Sequence, residues 1–140
     1  MIKERSAGII IYLEESNENL FLLLNYPTGH WDFVKGKIEQ GETEQDTALR
    51  ETREETGIAD IEFIKGFNEN INYSFQFEGE LIYKEVVFFL AKTKTKDVKI
   101  SHEHLSYIWL DYNNALKKTT YQNAKNILSK ANDLLQKLSF

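Results

Sequence analysis

The chain contains no cysteine and only one proline, Pro27, among its 140 residues. Without cysteine there is no disulfide framework, no cysteine-ligated zinc and no thiol nucleophile. No segment is rich in proline, glycine and serine, so nothing has the composition of a linker between domains. We therefore expect residues 1–140 to form one domain, a length at which roughly two thirds of the unfolded chain's surface becomes buried.

Long apolar runs are absent, and cations are fewer than anions. The apolar run at residues 7–13 is too short to span a bilayer, and no cleavage site of small residues follows it. We expect no membrane role, a cytoplasmic location by default, and a monomer. The formal net charge of −5 argues against a stable nucleic-acid partner. A polyanionic substrate would need local cations, and bound metal is the obvious candidate.

Core material is plentiful, since 41% of the residues are apolar and 13% are aromatic. Apolar segments indicate two strands at 7–13 and 20–26, each buried on both faces. Segments rich in β-branched and aromatic residues predict further strands at 61–67, 71–79, 83–93 and 107–110. Residues 26–42 and 100–107 have the composition of loops. From Tyr121 onwards the spacing of apolar residues predicts a helix packed on the sheet, through Ala124, Ile127, Leu128, Ala131, Leu134, Leu135 and Leu138.

A central helix is predicted over residues 43–56, and both of its ends are marked. Thr43 and Asp46 have the spacing of a capping box, and Gly57 stands where a left-handed residue would stop the helix. A helical wheel then predicts an inward stripe formed by Ala48, Leu49 and Thr52.

This helix carries Glu51, Glu54 and Glu55 at positions i, i+3 and i+4. The wheel places Glu51 and Glu55 at the border of the inward stripe and Glu54 next round. Like charges at this spacing repel by about a few tenths of a kcal/mol each. Arg53 lies on the opposite side, and Arg50 can lean towards only one of the acids. Either the acids form an ordinary solvated surface, or a cation belongs between them.

The acids are part of a longer pattern, because residues 36–58 read G-x5-E-x7-R-E-T-x-E-E-x-G-I. This pattern resembles the signature of the Nudix hydrolases, which has an aliphatic residue where this chain has Thr52. Thr52 faces the core on the wheel, so the departure concerns packing. The resemblance implies an α/β/α sandwich, with a mixed β-sheet flanked by helices. It also implies water attack on a phosphoanhydride with the help of Mg²⁺ or Mn²⁺, hard cations that prefer oxygen ligands.

The resemblance assigns roles by position. Glu54 and Glu55 match metal-binding carboxylates of the family, and Glu51 matches a residue that is either a metal ligand or the general base. The carbonyl of Lys35 matches a backbone metal ligand. The structural positions of the motif are Gly36, Glu42, Arg50 and Gly57, of which Glu42 and Arg50 match a pair that braces the loop against the helix.

Three flanking segments resemble one branch of the family, the asymmetrical diadenosine tetraphosphate hydrolases, which split the dinucleotide into ATP and AMP. They read YPTGHWDFVKGK before the motif, INY around residue 73, and SHEHLSYIWL from residue 101. Val34 and Lys37 stand where the branch commonly has proline and histidine. By position, Glu103 matches a carboxylate brought to the metals from a separate loop, as a fourth candidate catalytic residue. The candidate substrate-binding residues are His30, Lys35 and Lys84 for phosphate, and Tyr73 and Tyr121, with Tyr26 as a weaker third, for adenine stacking.

Alternatives remain open at this point. A nucleoside triphosphate, ADP-ribose or the triphosphorylated 5′ end of RNA presents the same anhydride to the same metals. A non-catalytic nucleotide sensor is a further alternative, although it would have no need of the full set of carboxylates. His102 and His104 are too close in sequence to make a good zinc pair by themselves, and a structural loop histidine is the simpler interpretation.

Overall fold

A computed structural model describes residues 1–139. Its strands and helices, in chain order, are β1 (Ile2–Glu15), β2 (Glu18–Asn25), β3 (Trp31–Asp32), β4 (Val34–Lys37), α1 (Glu44–Thr56), β5 (Glu62–Phe63), β6 (Glu69–Phe77), β7 (Glu80–Lys92), β8 (Ser106–Asp111), α2 (Tyr112–Lys118) and α3 (Gln122–Leu138).

The strands form one mixed sheet in which β1 is central. β1 pairs in parallel with β7 and antiparallel with β2 and β4. β5 and β6 pair with β7, and β3 and β8 pair with β2, all of them antiparallel. The expected mixed sheet is therefore confirmed, and the short strand β4 carries the start of the motif to the middle of the molecule.

Helices cover both faces of this sheet. Successive residues of a strand point to opposite faces, so Ile10 and Phe88 join one core and Ile9 and Val87 join the other. α2 and α3 close the first core, and α1 closes the second through Ala48. The predicted α/β/α sandwich is confirmed, and both early strands are buried on two faces as expected.

α1 has the predicted ends. Oγ1 of Thr43 accepts from the amide of Asp46, whose carboxylate accepts from the amide of Thr43, and Gly57 ends the helix at φ 77°. The inward stripe was partly wrong, because Leu49 is only half-buried whereas Thr47 is fully buried. The helix is rotated slightly from the expected orientation, and its buried threonine hydroxyls donate to backbone carbonyls within the helix or to Glu42.

α3 follows the predicted spacing, with Ala124, Ile127, Leu128, Ala131 and Leu135 buried. The assignment of Leu138 to the core was wrong, because this last residue of α3 is 57% exposed. None of the helices in residues 1–139 combines the length and the apolar character needed to cross a membrane.

Four short elements differ from the sequence expectations. β3 and β4 lie inside the predicted loop 26–42, because strands of two and four residues with two lysines and a glycine give no apolar signal. The strand predicted at 61–67 shrinks to Glu62–Phe63, before a turn with Gly66 at φ 96°. The seven-residue helix α2 was not predicted from the sequence, because two turns are too short to establish a helical spacing of apolar residues.

Candidate active site

β4 and α1 meet where Gly36 faces Glu51. A Cβ atom at position 36 would lie 2.1 Å from Cδ and 2.2 Å from Oε1 of Glu51. With Glu51 in this orientation only glycine leaves room there, and any larger residue would displace the Glu51 carboxylate. Nη1 of Arg50 donates to Oε1 of Glu51 at 2.8 Å. Burial raises the pKa of Glu51, and Arg50 acts in the opposite direction.

Arg50 also joins the helix to the preceding loop. Its Nε and Nη2 donate to the two oxygens of Glu42 at 2.7 and 3.0 Å, and Nη2 donates to the carbonyl of Lys37 at 3.0 Å. Glu42 accepts further hydrogen bonds from the amide of Glu39 and the hydroxyl of Thr47. The hydrogen bonds from Arg50 and from this amide lower the pKa of Glu42 to about 2. The loop between β4 and α1 is thus fixed by one bidentate ion pair.

Glu55 is the most buried of the acids, at 3% exposure. Burial, followed by the negative charge of Glu51 and a hydrogen bond with it, raises the pKa of Glu55 to about 9. Glu103 and Glu54 add to this effect. Oε2 of Glu55 has no hydrogen-bond partner among residues 1–139. A buried carboxylate oxygen without a partner, surrounded by other acids, fits a hard divalent cation.

Glu54 and Glu103 lie at the exposed rim of this acidic cluster. The side chain of Glu54 is 58% exposed, and its Oε2 accepts from Arg50 at 3.2 Å. Arg50 therefore contacts two of the three helix acids, where one was expected. In the described part of the chain, no three acidic or histidine side chains are close enough together to form a ready-made metal site. The carboxylates converge on one region, with Arg50 drawing Glu51 and Glu54 towards itself.

The loop that carries Glu103 is docked on the C-terminal end of α1. The amides of Lys99 and Ser101 donate to the carbonyls of Thr56 and Glu55, at 2.9 and 3.3 Å. These are carbonyls that the helix itself leaves without partners. The docking brings Glu103, which is exposed, near enough for its charge to raise the pKa of Glu55.

The two histidines of the same loop behave differently. His102 is exposed, whereas His104 is 6% exposed and its Nε2 lies 2.9 Å from Oε1 of Glu55. The two atoms are close, but they are not aligned as a hydrogen bond, and Nε2 has no other partner in residues 1–139. Burial lowers the pKa of His104. The sequence indicates a structural loop histidine but carries no signal for the contact with Glu55, because burial distinguishes His104 from His102 only in the folded chain.

On the neighbouring strands, Tyr73 of β6 lies directly opposite Lys84 of β7. Both side chains are half-buried. Burial and the positive charge of Lys35 lower the pKa of Lys84. Nζ of Lys35 lies 3.0 Å from Oδ2 of Asp32, and although burial opposes its charge, Asp32 raises its pKa overall. The buried partner Asp32 was missed from the sequence, where nothing separated it from a loop carboxylate.

Aromatic rings connect this region to the acids. Tyr26 stacks on His30, with ring centroids 4.6 Å apart and an angle of 6° between the ring planes. The ring centroid of His30 lies 5.2 Å from that of Tyr121, a residue that is 53% exposed. Tyr26 also meets His104 edge to face at 4.6 Å, and its hydroxyl donates to the carbonyl of Phe33 at 2.6 Å. Tyr26 is therefore packed into the protein between His30 and His104, whereas the ring of Tyr121 is accessible from solvent.

The sequence-predicted residues thus form two groups. One is the acidic cluster on α1 and the docked loop. The other lies beside it on the loop before β3, on β4, β6 and β7, and on the segment before α3; its members are His30, Lys35, Tyr73, Lys84 and Tyr121. Tyr26 lies between the groups, since the charges of Glu55 and of Asp32 both act to raise its pKa, after the larger effect of burial.

Comparisons with known proteins give the family of this chain. The NUDIX domain family model matches residues 3–131. The asymmetrical bis(5′-nucleosyl)-tetraphosphatase of Caenorhabditis elegans is 33% identical over 129 residues, covering 90% of this chain and 92% of that protein. The enzyme of the same name from Mus musculus is 35% identical over 143 residues, covering 94% of this chain and 95% of that protein.

Solved structures with the same fold include members of this family. A crystal structure of a C. elegans Ap4A hydrolase binary complex superposes with a TM-score of 0.85 at 33% identity, covering 95% of this chain and 98% of that one. An Escherichia coli dihydroneopterin triphosphate pyrophosphohydrolase, at 19% identity and a TM-score of 0.75, shares the fold. The chain therefore belongs to the Nudix hydrolase family, whose members generally use divalent metals, and within it is similar to the asymmetrical tetraphosphatases.

Proposed function

We propose that this Nudix hydrolase cleaves diadenosine tetraphosphate asymmetrically, into ATP and AMP, with Mg²⁺ as its cation and Mn²⁺ as a substitute. The observation that carries this proposal is the 33 to 35% identity, over at least nine tenths of the chain, to proteins named for that activity. In this proposal the acidic cluster binds the cations, and the adjoining lysines and tyrosines bind the substrate.

Glu51, Glu54, Glu55 and Glu103, with the carbonyl of Lys35, are the groups that would hold divalent cations. Such cations, when bound, lower the pKa of an attacking water and neutralise charge on phosphate oxygens. Arg50 favours the ionised form of Glu51 against the effect of burial. A Glu51 carboxylate held in place by Arg50 suits either of its candidate roles, ligand or general base.

The lysines are suited to the polyphosphate. Lys84 is half-buried and its pKa is lowered by burial and by Lys35, so its ammonium would be stabilised by an anion. Asp32 holds Lys35 at 3.0 Å and fixes where its charge lies. His30, next to Tyr121, would contact phosphate at the edge of the base site. These side chains would place positive charge beside the polyphosphate, although the chain as a whole has a net charge of −5.

Tyr73 and Tyr121 would bind an adenine ring. Tyr121 is exposed beside His30, and Tyr73 lies opposite Lys84 on the sheet. Stacking of a base on an aromatic ring contributes about 1 to 3 kcal/mol by alanine substitution. This stacking energy would favour nucleotides over inorganic polyphosphate.

The cytoplasmic location, the single domain and the monomeric state remain predictions from the sequence. Light scattering would test the monomeric state.

Product analysis tests the proposal. The protein is incubated with diadenosine tetraphosphate and Mg²⁺, with a chelator-treated sample as control. Equal amounts of ATP and AMP are expected. Two molecules of ADP would contradict asymmetric attack. Cleavage of only a nucleoside triphosphate, ADP-ribose or triphosphorylated RNA would replace the substrate and keep the hydrolase, and binding without any cleavage would identify a nucleotide sensor.

A further inference from the structure

The contact between His104 and Glu55 has no role in the mechanism above. The two side chains are 2% and 4% exposed, and Nε2 of His104 lies 2.9 Å from Oε1 of Glu55. Nε2 and Oε2 of Glu55 both lack hydrogen-bond partners among the described residues. Buried polar atoms are nearly always paired. The unpaired Nε2 thus lies against one oxygen of a carboxylate whose other oxygen is also unpaired, and a small rotation of that carboxylate would align a hydrogen bond with the imidazole.

The imidazole ring is held firmly at this place. The amide of His104 donates to the carbonyl of Ser101 at 3.1 Å, and Nδ1 lies 3.4 Å from the hydroxyl of Ser101. The amide of Ser101 in turn donates to the carbonyl of Glu55. The other side of the ring meets Tyr26 at 4.6 Å and an interplanar angle of 75°. His104 therefore cannot move unless the docked loop moves with it.

We propose that His104 is a positioning residue for the hydrolytic centre, which orients the carboxylate of Glu55 through Nε2 and keeps Glu103, its neighbour in the chain, beside that carboxylate. The inference rests on the proposed function, because it assigns both acids to cation binding. Carboxylates that bind metals are themselves oriented by hydrogen bonds, and the rigid planar ring of a buried histidine does this with little freedom. His104 would act through Glu55, without touching the substrate.

Two substitutions separate positioning from packing. In His104→Gln the side-chain amide nitrogen can reach the place of Nε2, whereas in His104→Asn it can reach only the place of Nδ1. His102→Gln, in the same loop but exposed, is the matched control. For each protein we would measure Mn²⁺ affinity by calorimetry on the metal-free form, kcat and KM with diadenosine tetraphosphate, and the melting temperature.

His104→Asn is expected to weaken Mn²⁺ binding by about 10- to 100-fold, the usual cost of losing a group that orients a metal ligand. Its kcat should fall while KM for the dinucleotide stays unchanged. His104→Gln should recover most of the Mn²⁺ affinity, and His102→Gln should behave as wild type. A wild-type Mn²⁺ affinity in His104→Asn, with only the melting temperature lowered, would show a purely structural histidine and overturn the proposal. So would a glutamine variant no better than the asparagine one.

A measurement on the wild-type protein covers the case in which a variant does not fold. On addition of Mg²⁺ to uniformly ¹⁵N-labelled protein, the Nε2 resonance of His104 should shift, and that of His102 should not. An unchanged His104 resonance in a protein that binds Mg²⁺ contradicts positioning. If the wild type binds the cation and cleaves a different nucleotide, only the proposed substrate fails and the Mn²⁺ comparison still decides; if it binds no divalent cation, both proposals fail.

Discussion

The two groups of the site are held in different ways. The acidic side, defined here as Gly36, Glu42, Arg50, Glu51 and Glu55, comes from one continuous segment and is fixed by ion pairs and close packing. The nucleotide side, defined as Tyr73, Lys84 and Tyr121, comes from the hairpin of β6 and β7 and from the segment before α3, and its side chains are half-buried or exposed. One side is rigid and costly to assemble; the other is open and adaptable.

This difference follows from what each side would do. Cleavage requires charges placed in advance at fixed positions, so that no rearrangement is needed during the reaction. The acidic side meets this need at a cost, because burial and repulsion raise the pKa of Glu55 to about 9. Stacking on a base depends mainly on a free ring face, and tolerates small shifts. Substitutions on the acidic side should therefore reduce turnover, and those on the nucleotide side should weaken substrate binding.

The largest effect is expected for Glu55→Gln. The change removes a charge and leaves the volume of the side chain, so we expect kcat to fall by about 10³-fold, within the range for loss of a catalytic base or charge-stabilising group. The fold should survive, since the metal-free protein no longer buries a carboxyl. Steady-state kinetics and circular dichroism would measure both effects. Glu44→Gln, at the half-buried first position of α1, is the control. Near-normal turnover in Glu55→Gln would refute the assignment of Glu55 to the metals.

Gly36→Ala should damage the acidic side without removing any charge. The new methyl group would lie 2.1 Å from Cδ of Glu51, so the carboxylate must move away from β4. A displacement of about 1 Å can reduce turnover by about 100-fold, while KM for the dinucleotide should change little. Kinetics at saturating Mg²⁺ would measure this. An alanine variant with full kcat would show that the position of Glu51 is unimportant, and the contrast between rigid and adaptable sides would lose its main support.

The same contrast explains which parts the sequence could predict. The acidic side was predicted almost completely, because Thr43, Asp46 and Gly57 mark a helix and the motif fixes the spacing of its acids. The rotation of α1, which buries Thr47 and leaves Leu49 half-exposed, depends on packing against β1 and β4 and cannot be read from spacing. The His104–Glu55 contact was missed because it joins a loop to a helix that come together only in the folded chain. The Asp32–Lys35 pair is local, but the burial that distinguishes Asp32 from a loop carboxylate appears only in the folded chain.

On the nucleotide side, Tyr73→Ala should mainly raise KM for diadenosine tetraphosphate. Loss of base stacking costs about 1 to 3 kcal/mol of binding free energy, so we expect KM to increase about tenfold at nearly constant kcat. Phe77→Ala is the control, because this residue lies on the same strand and is 58% exposed, with no assigned role. An unchanged KM would exclude stacking on Tyr73. A fall in kcat with unchanged KM would mean that Tyr73 affects the position of the acids, and the two sides of the site would then not be independent.

The smallest effect is expected for Glu42→Gln, which tests what holds the acidic side together. Hydrogen bonds from Arg50 and the amide of Glu39 lower the pKa of Glu42 to about 2, from 4.5 in the unfolded chain. A carboxyl whose pKa is lowered on folding stabilises the protein above pH 4.5, and this contribution disappears as the pH falls towards about 2. Glu42→Gln should therefore have a lower melting temperature than wild type at pH 7, and the difference should narrow progressively below pH 4.5.

Thermal unfolding followed by circular dichroism between pH 3 and 7 measures that difference. Glu44→Gln is again the matched control, because it removes an exposed ion pair with Arg5 at 2.7 Å, a kind of pair that contributes little to stability at any pH. A constant gap between Glu42→Gln and wild type across the whole range would mean that Glu42 acts through its shape and hydrogen bonds alone. The rigidity of the acidic side would then come from the packing of Glu51 on Gly36, and the Arg50 ion pair would be secondary to it.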